Sequence, residues 1–250
     1  MDKFQIRKLF QYVFLGIWLL LLLYLIPIKI HTCHQFCPYS VICFGPMIFR
    51  GLSVYFIAVI IGLIILISTI FIGRRFCGYI CFLGTIQEYI FKLNPFKTKT
   101  RISHKLDKHI KILKYLVLII TLYMSIALIQ YLYMQFCPIV ILSFPGAIKK
   151  LGIITLLILF IGGFFIERFW CRYLCPYAAL MNVFQFFGKL LGIKKHMINR
   201  NWEICVDCNI CIENCSMNID ISKYEEISDP NCIHCLKCIK FCPKANCISY

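Results

Sequence analysis

Cys205-Val206-Asp207-Cys208-Asn209-Ile210-Cys211-Ile212-Glu213-Asn214-Cys215 and, further on, Cys232-Ile233-His234-Cys235-Leu236-Lys237-Cys238-Ile239-Lys240-Phe241-Cys242-Pro243 decide how the chain is read. Both stretches have the spacing C-x2-C-x2-C-x3-C, in which a compact loop aims three thiolates at one iron–sulfur cubane and the fourth cysteine crosses to the other cluster. The spacing therefore predicts one [4Fe-4S] cluster on Cys205, Cys208, Cys211 and Cys242, and a second on Cys232, Cys235, Cys238 and Cys215. A single C-x2-C pair would also suit a zinc ribbon or a redox dithiol. Two complete runs are far more specific, and zinc or a disulfide framework is the competing interpretation.

Of the 250 residues, 60% are hydrophobic, and the mean hydropathy is +0.79. Such a composition belongs to an integral membrane protein. The net charge of +16 is unevenly placed. Residues 201–250 carry four Lys and seven Asp or Glu, so the excess of base lies wholly in the first 200 residues. Basic charge that flanks apolar segments is a topology signal, and nucleic acid is excluded as a partner. Of the 17 cysteines, eight have cluster spacing. Their thiolates persist best in a reducing compartment, which places the C-terminal module in the cytoplasm.

Four apolar runs, at about 10–28, 52–72, 112–134 and 151–169, are each long enough for a helix crossing the ~30 Å hydrocarbon core. The first follows Lys3, Arg7 and Lys8 without an A-x-A site, and is expected to be a retained helix. Lys and Arg crowd the N-terminus, the Gly73–Tyr115 loop and the segment after Glu167, while the two opposite loops hold only Lys29, Arg50, Lys149 and Lys150. The positive-inside rule then puts both termini on the cytoplasmic side of a prokaryotic cytoplasmic membrane.

The chain repeats with a period near one hundred residues. Phe36-Cys37-Pro38 matches Phe136-Cys137-Pro138, and Arg74-Arg75-Phe76-Cys77-Gly78-Tyr79-Ile80-Cys81 matches Arg168-Phe169-Trp170-Cys171-Arg172-Tyr173-Leu174-Cys175. Each of the latter precedes a segment of helical period, with Ile86, Ile90 and Leu93 in one and Leu180, Phe184, Phe187 and Leu191 in the other. These suit short helices lying in the membrane interface or covering the bundle end. The expected fold is a mainly α membrane protein: a four-helix domain over 1–195, built of parallel repeats at about 1–100 and 101–195, and a small α+β two-cluster ferredoxin over 196–250. Two parallel repeats imply a pseudo-two-fold along the membrane normal.

That axis brings Cys77, Cys81, Cys171 and Cys175 to one cytoplasmic rim, with i and i+4 sharing a helix face. Four such thiols could hold a further iron–sulfur cluster, act as redox thiols, or be buried small residues. In the outer loops, Cys33, Cys37, Cys43 and Cys137, with His31 and His34 nearby, are expected to form disulfides or reactive thiols before a metal site. Cys247 is expected to be a buried core thiol. No histidine lies in a span, so no membrane haem pair is present, and the apolar cores hold no charge of the kind an ion pump needs.

Four spans, a C-x3-C motif after the second and fourth, and a C-terminal two-cluster ferredoxin resemble the NapH- and NosR-like membrane polyferredoxins, which include quinol dehydrogenase components. Cys171-Arg172-Tyr173-Leu174-Cys175-Pro176 and the two ferredoxin runs carry the resemblance most specifically. It implies an electron-transfer subunit rather than a self-contained enzyme, passing electrons between quinone, or a cytoplasmic donor, and a redox partner protein at the membrane. By that resemblance Cys77, Cys81, Cys171 and Cys175 are the rim motif cysteines. Phe82 and Ser216 replace the prolines usual after Cys81 and Cys215, changes that remove no ligand but alter backbone constraint. The alternative is a redox-sensing or thiol-assembly membrane protein that uses its clusters as sensors. Glu88 and Glu167, the acids nearest the rim, are expected to pair with Arg or Lys in preference to taking quinol protons.

Overall fold

The computed structural model describes residues 3–25, 39–42, 56–95, 102–127, 135–143, 150–193 and 197–250. Cys33, Cys37 and Cys43, with His31 and His34, lie outside the described residues, as do parts of the first three apolar runs. Helix α1 (Lys3–Leu25) begins ahead of the apolar run, so Arg7 and Gln11 are helical. Helix α2 (Phe56–Ile72) is followed by the short α3 (Arg75–Tyr79) and by α4 (Phe82–Lys92). The second half has α5 (His104–Ile110), α6 (Leu113–Ile126), the short α7 (Pro138–Ser143), α8 (Lys150–Phe165), α9 (Phe169–Tyr173) and α10 (Pro176–Leu190). Among the described residues, two helical stretches are long and apolar enough to cross a membrane, Lys3–Leu21 and His104–Ile126. The apolar helices Phe56–Ile72 and Leu151–Phe165 are shorter.

Small and apolar residues at near-helical spacing decide which faces meet. Ala58, Gly62, Leu66 and Thr69 are the buried residues of α2, and Lys114, Leu118, Thr121 and Ser125 those of α6. Large apolar side chains on α1, α2, α6 and α8 point outward, among them Phe10, Ile64, Ile119 and Ile161. Apolar area of that extent is left facing outward where something other than water covers it. Helix α4 packs on α1 and on α8, and α10 packs on α6 and on α2. Each of the two helices thus bridges one long helix of its own half and one of the other.

These two helices turn polar as well as apolar residues inward. In α4 the buried residues are Leu83, Gly84, Thr85, Gln87, Glu88 and Ile90, and Leu93 is exposed. In α10 Asn182, Gln185 and Gly188 are buried, while Phe187 and Leu191 are exposed. The far ends of the apolar stripes are exposed, while Ile90 is buried and Ile86, Leu180 and Phe184 pack against the core; the inward polar residues find partners there, described below.

The C-terminal segment has a two-residue antiparallel pair, β1 (Asn199–Arg200) with β2 (Ile248–Ser249), in register Asn199↔Ser249 and Arg200↔Ile248. Between them lie the one-turn helices α11 (Ile210–Glu213) and α12 (Lys237–Lys240) and a 3-10 turn at Ile221–Lys223. One continuous apolar core joins this segment to the helices, running from Leu66, Leu118, Tyr177 and Met181 to Ile198, Met217 and Ile233.

Candidate iron–sulfur sites

The two cysteine runs fold as copies of one another. Asp207 and Asn209 in the first, and His234 and Leu236 in the second, stand at matching positions and all have φ between 49° and 59°. A side chain in this left-handed region is strained, and it is tolerated where alternating hands turn successive N–H groups inward as an anion-binding nest. The helix that follows starts five residues after the first cysteine in both, at Ile210 and at Lys237. Two recesses result, of about 390 Å³ and about 360 Å³. The first is lined by Cys205, Cys208, Cys211 and Cys242, and the second by Cys215, Cys232, Cys235 and Cys238.

Both recesses offer N–H donors to sulfur, as metal-bound thiolates require. The Ile219 amide donates to Cys215 Sγ at 3.4 Å. Arg200 donates from Nη2 and Nε to Cys205 Sγ at 2.9 and 3.3 Å. Burial alone would raise the Cys205 thiol, but the Asp207 amide and Arg200 outweigh it and hold the pKa below its ordinary value. At Cys232 and Cys238, by contrast, burial pushes the thiol pKa up. Cys247 is buried as expected, yet it lines the first recess, within hydrogen-bonding reach of the Cys205 and Cys242 sulfurs. Its place after the motif gave no sign of that. Among the described residues no group of three or more Cys, His, Asp or Glu side chains closes tightly enough to hold a single metal ion. The ferredoxin-type thiols are set around recesses rather than around a point.

At the rim, the two C-x3-C motifs are not single helical turns. Cys77 lies in α3 and Cys171 in α9, whereas Cys81 and Cys175 are the extended N-cap residues of α4 and α10, with ψ of 109° and 112°. Each motif closes by the same pair of bonds, Ile80 and Cys81 N–H to Phe76 O, and Leu174 and Cys175 N–H to Trp170 O. The turn, not a shared helix face, therefore brings the thiols together. Burial raises the pKa of Cys81 to about 12, with Cys171 and Cys77 adding to the effect. Cys175 is raised by burial and then by Cys171, Cys77 and Cys81, so all four sulfurs share one electrostatic neighbourhood.

The halves exchange contacts there. Arg168 donates to Cys77 O at 2.6 Å, and Arg74 reaches Cys171 O at 3.5 Å. Gln87 Nε2 lies 3.4 Å from Cys171 Sγ, and Met181, its counterpart in the repeat, has its Sδ 3.6 Å from Cys77 Sγ. The Gly84 and Ala178 amides bond the sulfurs of Cys81 and Cys175. None of these supporting residues had been singled out for a role. The repeat alignment that pairs Arg74 with Arg168 and Gln87 with Met181 contained the signal.

Glu88 knots the rim to the cysteine runs. Its carboxylate meets Arg7 at 2.8 Å, Arg168 at 3.1 Å and Lys237 at 3.7 Å. Burial would raise its pKa, but Arg168, Arg7 and Lys237 hold it well below the usual carboxylate range. Arg7 also donates to Gly78 O and to Cys235 O, each at 3.0 Å. Glu167 accepts from Lys237 and from Ser216 Oγ. Both acids thus pair with cations, but the partners are remote in sequence and not the adjacent Arg or Lys that the sequence suggested. On the other side of the rim, Asn182 presents its amide oxygen to Lys114 Nζ at 2.9 Å and its nitrogen to Pro230 O at 2.8 Å. Lys114 in turn bonds Asn231 Oδ1.

Comparison with known proteins gives this geometry a class. A family model described as a 4Fe-4S binding domain matches residues 54–103 and 150–194, the stretches that hold Cys77, Cys81, Cys171 and Cys175. The uncharacterised protein MJ0750 of Methanocaldococcus jannaschii is 31% identical over 98% of this chain and 94% of its own length. YccM of Escherichia coli K12, to which an electron transport role is ascribed, is 28% identical over 79% of this chain, which spans 57% of YccM. NirI of Paracoccus denitrificans is 26% identical over 69% of this chain and 25% of its own length. No solved structure matches. The segments that hold the rim cysteines are thus of a 4Fe-4S binding type. The chain belongs to the NapH/NosR-like polyferredoxin family.

Proposed function

We propose that the chain is a membrane-anchored electron-transfer subunit in which three cysteine sites form one path. Cys77, Cys81, Cys171 and Cys175 hold a rim cluster. Cys232, Cys235, Cys238 and Cys215 hold the next, and Cys205, Cys208, Cys211 and Cys242 hold the last. The observation that carries this reading is the contact between rim and second site: a Cβ on Gly78, between Cys77 and Cys81, would meet the Ile233 carbonyl at 2.3 Å. With the second-site loop seated directly on the rim backbone, an electron has a short route between them. The match of a 4Fe-4S model to the rim segments supports the third cluster.

Exchanged packing of α4 and α10 supports four spans arranged as two parallel repeats about a pseudo-two-fold. In this arrangement lipid covers the outward apolar faces, and both termini and the C-terminal unit are cytoplasmic. Quinone or a cytoplasmic donor exchanges electrons with the chain, and a redox partner protein at the membrane completes the circuit. The protein's groups orient and insulate; the clusters, when bound, supply one-electron chemistry. Anaerobically purified chain should carry about twelve irons, the sum of three cubanes. The Cys171→Ser variant should lose about a third of them together with one EPR signal, and unchanged iron and spectra would sink the rim cluster. In liposomes, a menaquinol analogue should reduce the clusters. Failure there, with reduction by a soluble ferredoxin retained, would assign the donor to the cytoplasm.

A further inference from the structure

We infer that the two C-terminal sites are built to different reduction potentials, with Arg200 raising that of the Cys205 site above that of the Cys232 site. The inference rests on the reading of both recesses as cluster sites. Because the two cysteine runs fold as copies, their surroundings can be compared position by position. Five residues before Cys205 stands Arg200, and five before Cys232 stands Ile227. Both are buried. Arg200 gives two N–H bonds to a ligand sulfur, and its bonds to Ser222 O at 2.9 Å and to Asp207 Oδ1 fix the guanidinium. Stacking on Trp202, 4.0 Å from the ring centroid, holds it further. Ile227 has nothing to donate. Cys247 brings a second potential donor to the Cys205 and Cys242 sulfurs, whereas the other recess is walled by Ile198, Met217, Ile219, Ile221 and Ile227.

A cubane becomes more negative by one charge when it is reduced. Donors and a cation at its sulfur stabilise that form and raise the potential, while apolar walls lower it. Opposing charges do not cancel the difference. Asp207 pairs with Arg200, but its side chain is 74% exposed against 3% for Arg200, so water screens the acid more than the base. Near the other site, Arg7, Arg168 and Lys237 are engaged by Glu88 and Glu167. Of these, Arg7 bonds the Cys235 carbonyl, and Arg168 and Lys237 act on Cys235 through space while held by the two acids, not by a bond to its sulfur. One electron leaving the Cys232 site and entering the Cys205 site therefore runs downhill, away from the rim and towards the exposed Cys208. No proton or bond changes hands.

EPR-monitored redox titration of the full chain in detergent tests this. Wild type should show two C-terminal signals with separated midpoints. Arg200→Leu should move only the higher one, downward, by about tenfold in its half-reduction equilibrium, or about 59 mV for one electron. Arg200→Lys should restore part of the shift. If Arg200→Leu does not take up iron, Arg200→Lys and Cys247→Ala decide, each expected to lower the same midpoint by a smaller amount. Coincident wild-type midpoints, loaded variants with unmoved midpoints, or movement of the lower signal alone would overturn the inference. A chain that never takes up iron at these eight cysteines would instead overturn the cluster reading itself.

Discussion

The Gly78 backbone and the Ile233 carbonyl lie so close that the smallest side chain on Gly78 would sit 2.3 Å from the carbonyl oxygen. Real side-chain carbons do not approach backbone oxygen so nearly, and a backbone atom cannot rotate away as a side chain can. Gly78→Ala should therefore lift the Cys232–Cys235 loop from the rim at a cost of about 1–3 kcal/mol. Amide hydrogen exchange of 230–236 in the detergent-solubilised chain should accelerate, while exchange in α11 should hardly change. Unaltered protection across that loop would mean that the two surfaces are not in contact.

The crossing of the fourth cysteines makes an unusual claim, since Cys215 is adjacent in sequence to one site and lines the other. Cys215→Ala should disturb the site of Cys232, Cys235 and Cys238, and Cys242→Ala that of Cys205, Cys208 and Cys211. Each should cost about four irons if the depleted site empties. Combining Cys215→Ala with Cys232→Ala should cost no more iron than either alone, whereas pairing it with Cys205→Ala should cost twice as much.

Glu88 is a buried acid among three cations, and removing its charge takes the carboxylate from Arg7 and Arg168 while Lys237 keeps Glu167. Glu88→Gln should destabilise the chain by about 3–5 kcal/mol. The folded pKa of Glu88 lies below its ordinary value of 4.5. The stability it contributes is thus fully present above about pH 4.5 and is lost as the pH falls towards the folded value. Thermal denaturation followed by circular dichroism should show wild type losing stability below pH 4.5 more steeply than Glu88→Gln.

Asn182 occupies the matching place in the second half, facing Lys114 and the Pro230 carbonyl. Asn182→Leu should cost about 1–3 kcal/mol by stranding buried polar groups, and should loosen the 229–231 loop. Asn182→Asp, which keeps an acceptor for Lys114, should cost less. Equal melting temperatures for the two variants would remove Lys114 from the account.

Spacing of cysteines is local, so the two runs are legible in the chain itself; that Cys215 and Cys242 each line the other run's recess depends on the fold. Apolar run length is local too, and the described parts of the first three runs and most of the fourth are helical, with Arg7 and Gln11 added at the start of the first. What could not be read depends on residues far apart. Arg7 meets Glu88 and Cys235 only after the chain has folded, and no short motif announces such a junction. The inward polar faces of α4 and α10 were hidden for the same reason, because periodicity reports which residues are apolar but not which medium each side will meet. Cys247 was masked by its own chemistry, since a buried thiol is usually just a small apolar residue.

The apolar core that runs without a break from Leu66 and Met181 to Ile198 and Ile233 has a further consequence. A carrier domain on a tether must detach and diffuse before it can deliver charge. This one is cemented to its helices, so the separations between its redox sites are set once, at folding. On the proposed electron path, solvent viscosity should leave the internal transfer rate unchanged. Conversely, loosening the C-terminal segment should soften the helices beneath it, because both are parts of the same packed interior.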